Sequence, residues 1–277
     1  MGRAGCRPQV RKYLHVFAIG IQNTLVYRVN FLFRAAFGLI PLTGTLFVWR
    51  TIYREKGEGV SVGGYALASM VSYYLLVTVV DAMTAVAEDD WQIAADIRDG
   101  NISQFLLKPL DYLAYRLSLY LSGRLIYTTV AMVPVALFLL TMRADLLPPA
   151  GWTGILGFAF SVVLAGLLQF FIAYSMALLA FWVLDVSTFI FIQFAFEYIA
   201  SGHLFPLDIL PPTLAAVLRL TPYPYLCYFP ISIYLGRVTG VDLMQGLLIQ
   251  TGWVIAGYGL ARWMWHRGIR HYSAAGG

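Results

Sequence analysis

The residue types that carry most protein chemistry are scarce in this sequence of 277 residues. Its two cysteines, Cys6 and Cys227, are too few and too far apart for a disulfide framework or a zinc site. Its four histidines form no HExxH motif, and no lysine follows the glycine-rich run of a phosphate-binding P-loop. The sequence therefore predicts no metal site, no bound cofactor and no nucleotide site within this chain.

Four ionisable residues in apolar surroundings remain as candidates for chemistry: Asp81, Glu197, His203 and Asp208. Ionisable groups at membrane depth cost free energy, so their presence there suggests a functional role. One class of protein that would use them is a membrane-embedded enzyme. No set of nucleophile, base and orienting group is recognisable among them, which predicts that the chain has no catalytic residue. We expect Asp81 to pair with an arginine such as Arg124, and Glu197 to brace the segment that follows it.

The densest charge lies between two long apolar runs, in residues 88–112, which we call the charged island. A charge at the bilayer centre costs about 2.5–3.5 kcal/mol, so the island must lie in water or against another protein. Asp89 is predicted to begin a helix as its N-cap, and Gly100 lies just past the helix end. Asn101 is predicted to begin a second short helix that Pro109 stops, so the island forms a compact knob.

Two interpretations of the island stay open. A run of charges is ordinarily a solvated loop. A knob that exposes Phe105, Leu106 and Leu107 instead favours contact with another protein, because a simple tether has no need of exposed apolar side chains. The residues predicted to make that contact are Ile93, Asp96, Ile97, Arg98, Asp99, Gly100, Asn101, Phe105 and Leu106.

The composition places these residues in a membrane protein. Hydrophobic residues make up 60% of the chain, against about 45–50% in soluble domains, and charged residues only 12%. The net charge of +5 lies mostly at the predicted membrane edges, where it is explained by lipid headgroups and topology rather than by nucleic acid. The N-terminus lacks the short apolar core and cleavage site of a signal peptide.

The apolar runs predict an all-α membrane protein with six transmembrane helices. An amphipathic helix at residues 10–27 is predicted to lie in the membrane interface before them. The predicted spans are residues 31–53, 65–87, 113–142, 152–183, 186–200 and 243–265. The fourth and fifth come from one apolar run that is too long for a single helix, and Asp185 marks the turn between them.

Residues 201–230, which we call the proline-rich segment, cannot form a continuous span because six prolines interrupt them. Irregular backbone at membrane depth is tolerated only when it is buried in protein or lines a wet cavity. We therefore expect a re-entrant or outer helical hairpin here.

The lysines and arginines favour a cytoplasmic position for both termini and for the charged island, although Arg54 and Lys56 oppose that bias. The sequence thus predicts a multi-pass protein of the cytoplasmic membrane.

Four stretches, spread almost from end to end, resemble the permease subunits of ABC-2 type exporters, in the branch found with daunorubicin-resistance-type ATPases. The stretches are IRDGNISQFLLKPL at 97–110, SGHLFPLDILPPTL at 201–214, YFPISIYLG at 228–236 and the ending RGIRHYSAAGG. None is a catalytic signature alone, and the resemblance rests on their order and spacing together.

This resemblance implies a function as well as a fold. It implies an interfacial helix, six spans, a cytoplasmic coupling helix between the second and third spans, and a dimer of permeases on two ATPases. The second permease is an identical or a related chain, and ATP with magnesium is bound by the ATPases. Together they would move a hydrophobic or amphipathic substrate, such as a drug, lipid, peptide or natural product, out of the cell.

In that interpretation the charged island contacts the ATPase, and the proline-rich segment forms an outer lid over the exit path. The predicted lid residues are Glu197, Gly202, Pro206, Asp208 and Pro211. A secondary transporter or channel is the alternative. It would be favoured by internal repeats, and none is visible in the sequence.

Overall fold

A computed structural model describes residues 6–57, 60–86 and 89–272, with the backbone alone for residues 6–10 and 89. The described residues are almost entirely helical and contain no β-strand, which confirms the all-α prediction. The helices are α1 (Cys6–Leu25), α2 (Arg28–Lys56), α3 (Leu67–Thr84), α4 (Asp89–Arg98), α5 (Ile102–Leu106), α6 (Tyr112–Thr141), α7 (Gly151–Ala177), α8 (Ser187–Ala200), α9 (Pro212–Arg219), α10 (Tyr228–Tyr234) and α11 (Gly240–His271).

Four helices of the described chain are long and apolar enough to cross a membrane. They are α2, α3, α6 and α7, the last continued by a 3₁₀ turn to Phe181. The predicted fifth span is α8, whose 14 residues rise only about 21 Å, against about 30 Å of hydrocarbon. The predicted sixth span lies within α11, which has 32 residues and is not among those four. The count of six spans therefore stays a prediction.

Helix α3 lies at the centre of the bundle, against α2, α6, α7 and α10. Its buried side chains, among them Met70, Tyr73 and Val80, lie on all of its faces, as expected of a helix surrounded by others. In contrast, α2 and α6 leave large apolar side chains such as Phe47 and Leu137 exposed. In a membrane protein these exposed apolar surfaces are the ones that face lipid.

Two ends of the bundle can be distinguished. The island end holds α4 and α5, which make up most of the charged island, together with the end of α11. The distal end holds the turn between α6 and α7, where Arg50 of α2 pairs with Asp145 at 2.5 Å. At the island end, Asp111 is the N-cap of α6, and its carboxylate accepts a hydrogen bond from the amide of Ala114 at 2.9 Å. The same carboxylate pairs with Arg262, so this cap ties α6 to α11.

The two-helix prediction for the charged island is confirmed with one change at its beginning. Asp89 is the first residue of α4 rather than its N-cap, and the preceding position, Glu88, lies outside the described residues. The second helix begins after Asn101, as predicted, although the side chain of Asn101 makes no capping bond. Gly100 joins the two helices with φ of +80°, the left-handed conformation that glycine adopts without strain.

Candidate functional site

The charged island is fastened to the bundle by apolar side chains. Ile93, Ile97 and Ile102 are each less than 5% exposed, and they pack with residues of α7 and α11. The side chains of Ile93 and Ile97, which were predicted to contact a partner, point into the core of this chain, and their contact with a partner stays a prediction. Their role is to hold the island on the bundle.

Asp96 also belongs to this internal attachment. Its carboxylate forms an ion pair with Arg116 of α6 and accepts a hydrogen bond from the hydroxyl of Tyr112 at 2.8 Å. Arg116 in turn donates to the Tyr112 hydroxyl at 3.0 Å and to the amide oxygen of Gln92 at 3.3 Å. Asp96 is thus paired within the chain, which fixes α4 against α6, and its pairing with a charge on a partner stays a prediction.

The exposed face of the island is formed by other residues. Leu107 is 89% exposed and Leu106 51%, and Arg98 and Asp99 pair with each other at 3.1 Å on the surface. Phe105, predicted to be exposed, is instead partly buried against Tyr112 and Tyr115. The exposed Trp91 of α4 was not among the predicted contacts. A tryptophan beside charged residues gives no sign in the sequence of which way it points.

The turn at Gly100 has a partner that the sequence did not predict. The hydroxyl of Tyr272, the residue after α11, donates a hydrogen bond to the Gly100 carbonyl at 2.9 Å. The two residues are 172 positions apart, so no local pattern connects them. This bond joins the island to the end of the last long helix.

At the distal end, Asp208 of the proline-rich segment is the centre of a polar cluster. Its carboxylate accepts hydrogen bonds from the hydroxyls of Tyr65 at 3.0 Å and Tyr228 at 2.7 Å. It also lies 3.3 Å from the guanidinium of Arg237 and 3.7 Å from that of Arg219. Its side chain is only 18% exposed, so these four partners compensate a charge that has been largely removed from water.

The loop of residues 60–66 closes over this cluster, and we call this loop and the proline-rich segment together the distal cap. Gly63, with φ of +58°, lies so close to Ile209 that an added Cβ would come within 2.7 Å of its side chain. Arg237 donates to the Gly64 carbonyl at 3.0 Å and stacks over the ring of Tyr65. Two of the predicted lid residues, Pro206 and Pro211, immediately precede the short helices of the segment.

Tyrosines of α3 hold the start of the proline-rich segment against the bundle. Tyr73 donates to the carbonyl of Gly202 at 2.6 Å, and Tyr74 donates to that of Leu204 at 2.7 Å. Gly202 has φ of +91°, and an added Cβ would lie 2.6 Å from the Tyr73 hydroxyl. Glycine is therefore required here both by the backbone conformation and by the close approach of α3.

Asp81 has a partner other than the expected arginine. The Nε2 atom of His203 lies 2.6 Å from its carboxylate, so the proline-rich segment reaches deep along α3. Arg124 lies over the ring of Tyr127 at 4.6 Å and lines a cavity of about 200 Å³ together with Asp81. The sequence identified both charges, but it could not show that a histidine 122 positions away comes closer to Asp81.

In space, Ser201 contacts His203 and His203 contacts Asp81, so a serine, a histidine and a carboxylate form a row. These residues nevertheless do not form a nucleophilic site. Ser201 is fully buried, and its hydroxyl donates to the carbonyl of Glu197 at 2.6 Å. The same hydroxyl lies 2.5 Å from Nδ1 of His203. A serine with no exposed surface offers no access for a substrate, which argues against the enzyme alternative.

Glu197 is buried within the helices and joins α8 to α7. Its carboxylate accepts hydrogen bonds from the amides of Gln169 at 2.7 Å and Gln193 at 2.5 Å. With its backbone bonded to Ser201, Glu197 fixes the point where α8 passes into the proline-rich segment. In the described part of the chain, no group of three or more histidine, cysteine or acidic residues is placed to hold a metal ion.

Long apolar helices with lipid-facing side chains and polar clusters kept inside the bundle define a multi-pass helical membrane protein. A family model described as "ABC-2 family transporter protein" matches residues 39–276, and the chain belongs to that family. The resemblance seen in the sequence is thereby confirmed at the level of the ABC-2 permease. Comparison with curated proteins gave no match.

Membership of the family has two direct consequences. The ABC-2 membrane family is a transmembrane permease domain without its own nucleotide-binding site. Permeases of the family normally work with an ABC ATPase partner.

Proposed function

We propose that this chain is the permease subunit of an ATP-driven exporter. It would work as a dimer, with an identical or related permease, on two ATPase subunits that bind ATP and magnesium, and carry a hydrophobic or amphipathic substrate out across the cytoplasmic membrane. The observation that carries the proposal is the charged island of an ABC-2 family chain, firmly anchored at its base and apolar at its exposed tip.

The tip of the island is suited to a groove on another protein. Leu107 and Leu106 project from the end of α5, and Trp91 is exposed on α4. Covering one leucine side chain completely is worth about 1.5–3 kcal/mol, whereas each exposed charge such as Arg98 adds about 0.2–1 kcal/mol. The contact energy should therefore come from the two leucines.

The base of the island is suited to transmitting force. The ion pair of Asp96 with Arg116 and the buried side chains of Ile93 and Ile97 join the tip rigidly to the long helices. A movement of the ATPases on binding ATP would then tilt the helices rather than deform the island. Rigid-body movement of this kind is a common way for packed helices to switch state.

The other end of the same mechanism would be the distal cap. Helix α3 leads to the charged island, and its residues Tyr73, Tyr74 and Asp81 hold the proline-rich segment. We infer that the cap is a lid over the exit path, and that tilting α3 moves it. Access to the path would then alternate between the two sides of the membrane.

The experiment is affinity purification of the tagged chain from its native membranes, with the associated subunits quantified by mass spectrometry. We expect an ABC ATPase to copurify with the unaltered chain. The double variant Leu106→Asp, Leu107→Asp should lose it, because two charges would have to be buried in the contact. The matched control is Leu220→Asp, a similarly exposed leucine at the distal end. Full retention of the ATPase by the double variant would disprove the proposed contact.

A further inference from the structure

A cavity opens at the distal end between the proline-rich segment, α10 and the beginning of α11. Its volume is about 530 Å³, which lies within the usual range of pockets that hold small ligands. The residues that line it lie between positions 208 and 249, a stretch that the structure describes throughout. The cavity borders the polar cluster of Asp208 and extends along α11 as far as Ile249.

The aromatic wall of this cavity is held in place from behind. Gln250 is fully buried and donates hydrogen bonds to the carbonyls of Ser161 and Tyr225, both at 2.9 Å. The rings of Tyr225 and Phe229 lie 5.3 Å apart. Phe229 approaches Gly246 so closely that an added Cβ would lie 2.2 Å from its ring. These contacts fix the wall, so the cavity exists before a ligand binds.

The charged lining in the described part of the chain has two signs. Arg219 and Arg237 both pair with Asp208, which leaves one net positive charge on that side of the cavity. Arg219 is 60% exposed and lies 3.7 Å from the carboxylate, so most of its five N–H donors remain available. Among the ion pairs of the described residues, none joins Asp242 to either arginine, so a separate negative charge lines the cavity.

Apolar surface continues outward from the cavity. Along α11 the lining changes from Asp242 and Gln245 to Ile249 over about 10 Å. Four apolar side chains nearby in the sequence are each more than 60% exposed, namely Leu220, Val241, Met244 and Leu248. An exposed apolar surface on a membrane protein meets acyl chains. A ligand that satisfies the cavity and this surface has a zwitterionic head and hydrocarbon tails.

We propose that this cavity binds the headgroup of phosphatidylethanolamine from the leaflet at the distal end. Arg219 and Arg237 bind the phosphate oxygens, for which the guanidinium fork is well matched. The primary ammonium group donates to the carboxylate of Asp242 and to the amide oxygen of Gln245. The acyl chains lie along the exposed apolar side chains of α11. This site needs neither an ATPase nor a transported substrate, so it goes beyond the proposed function.

The test uses the full chain in nanodiscs with equal amounts of phosphatidylethanolamine, phosphatidylglycerol and phosphatidylcholine, followed by extraction and native mass spectrometry. The unaltered chain should retain phosphatidylethanolamine preferentially, because phosphatidylglycerol lacks the ammonium group and phosphatidylcholine lacks its N–H donors. Asp242→Asn should lower the ratio of bound phosphatidylethanolamine to phosphatidylglycerol about five-fold, and Asp242→Glu should keep most of it. The control is Asp145→Asn, which removes an acid at the same end that does not line the cavity.

Arg219→Gln tests the phosphate side and should lower the amount of bound phosphatidylethanolamine about five-fold. Asp242 and Arg219 are both exposed, so these substitutions leave the packing of the bundle intact.

Equal retention of the three lipids by the unaltered chain would overturn the proposal. An unchanged lipid ratio in Asp242→Asn, or unchanged retention in Arg219→Gln, would also overturn it. A further sample is equilibrated with millimolar phosphoethanolamine. Displacement of the lipid by this soluble headgroup would assign the site to a soluble zwitterion and overturn the lipid assignment, whereas retention supports it.

Discussion

Replacing Asp208 with asparagine should loosen the distal cap. The substitution keeps the size of the side chain and removes its charge. In the unaltered chain the Asp208 carboxylate accepts hydrogen bonds from the hydroxyls of Tyr65 and Tyr228 and lies 3.3 Å from the guanidinium of Arg237. These contacts join the loop of residues 60–66 to the proline-rich segment and to α10, so weakening them should release the loop first.

The size of the effect follows from the partners. A hydrogen bond to a charged acceptor is worth about 1.5–3 kcal/mol, and one to a neutral acceptor about half as much, so the two tyrosines together lose about 2 kcal/mol. The pairs with Arg237 and Arg219 are partly exposed, the second on a side chain that is 60% exposed, and they add at most about 1 kcal/mol. The local free energy of opening should fall by about 2–3 kcal/mol in total.

Hydrogen–deuterium exchange measures this opening where it happens. The amide of Tyr65 bonds to the Val62 carbonyl at 3.0 Å, and that of Ile209 bonds to the Pro206 carbonyl at 3.1 Å. Because a factor of ten corresponds to about 1.36 kcal/mol, exchange of these two amides should accelerate about 30- to 150-fold in Asp208→Asn. The amides in the middle of α7 should exchange as before.

The matched control is Asp145→Asn, which removes the ion pair with Arg50 at the same end of the bundle. The side chains of Arg50 and Asp145 are both more than 40% exposed, so their ion pair is worth at most about 1 kcal/mol. Exchange at Tyr65 and Ile209 should not change in this control. If exchange at those amides rises less than two-fold in Asp208→Asn, the carboxylate does not hold the cap closed.

Three further predictions concern the island end and the orientation of the chain. Gly100→Val should reduce copurified ATPase more than Asp99→Asn does, because a side chain at φ of +80° strains the turn, and equal effects would contradict this. Tyr272→Phe removes one hydrogen bond, so island amides should exchange about three- to ten-fold faster without change at the distal end, whereas unaltered exchange would show the bond to be dispensable. In a cysteine-free background, an impermeant thiol reagent on intact cells should label Ser61→Cys but not Gln104→Cys, and the reverse pattern would invert the predicted topology.

Local signals in the sequence predicted the elements well. Charge, glycine and proline placement predicted the two helices of the charged island, the end of the first one at Gly100 and the break in the chain at the proline-rich segment. Such signals act within a few residues, so the local sequence is enough to identify them. The start of α4 was predicted one residue too late, at Asp90 instead of Asp89, because local signals define a helix end only to within a residue or two.

The partners of the charged residues could not be predicted in the same way. Asp96 is paired within the chain, and Asp81 meets His203 rather than an arginine, because packing decides which distant helices come together. Exposure is equally non-local. The apolar residues Ile97 and Phe105 face the bundle, whereas Leu107 faces outward. Their spacing along the two short helices α4 and α5 does not distinguish these directions.

The distal cap has a consequence for the way the chain is made. Tyr65 and its acceptor Asp208 are 143 positions apart, and the loop is synthesised long before its partner. At about 5–20 residues per second, the loop waits about 7–30 seconds for Asp208 to leave the ribosome. The four helices that are long and apolar enough to cross a membrane have been synthesised by then, so closure of the cap is a late step of assembly. A nascent chain stopped before α10 would contain Asp208 but neither Tyr228 nor Arg237, so two of the four partners of the carboxylate would be missing.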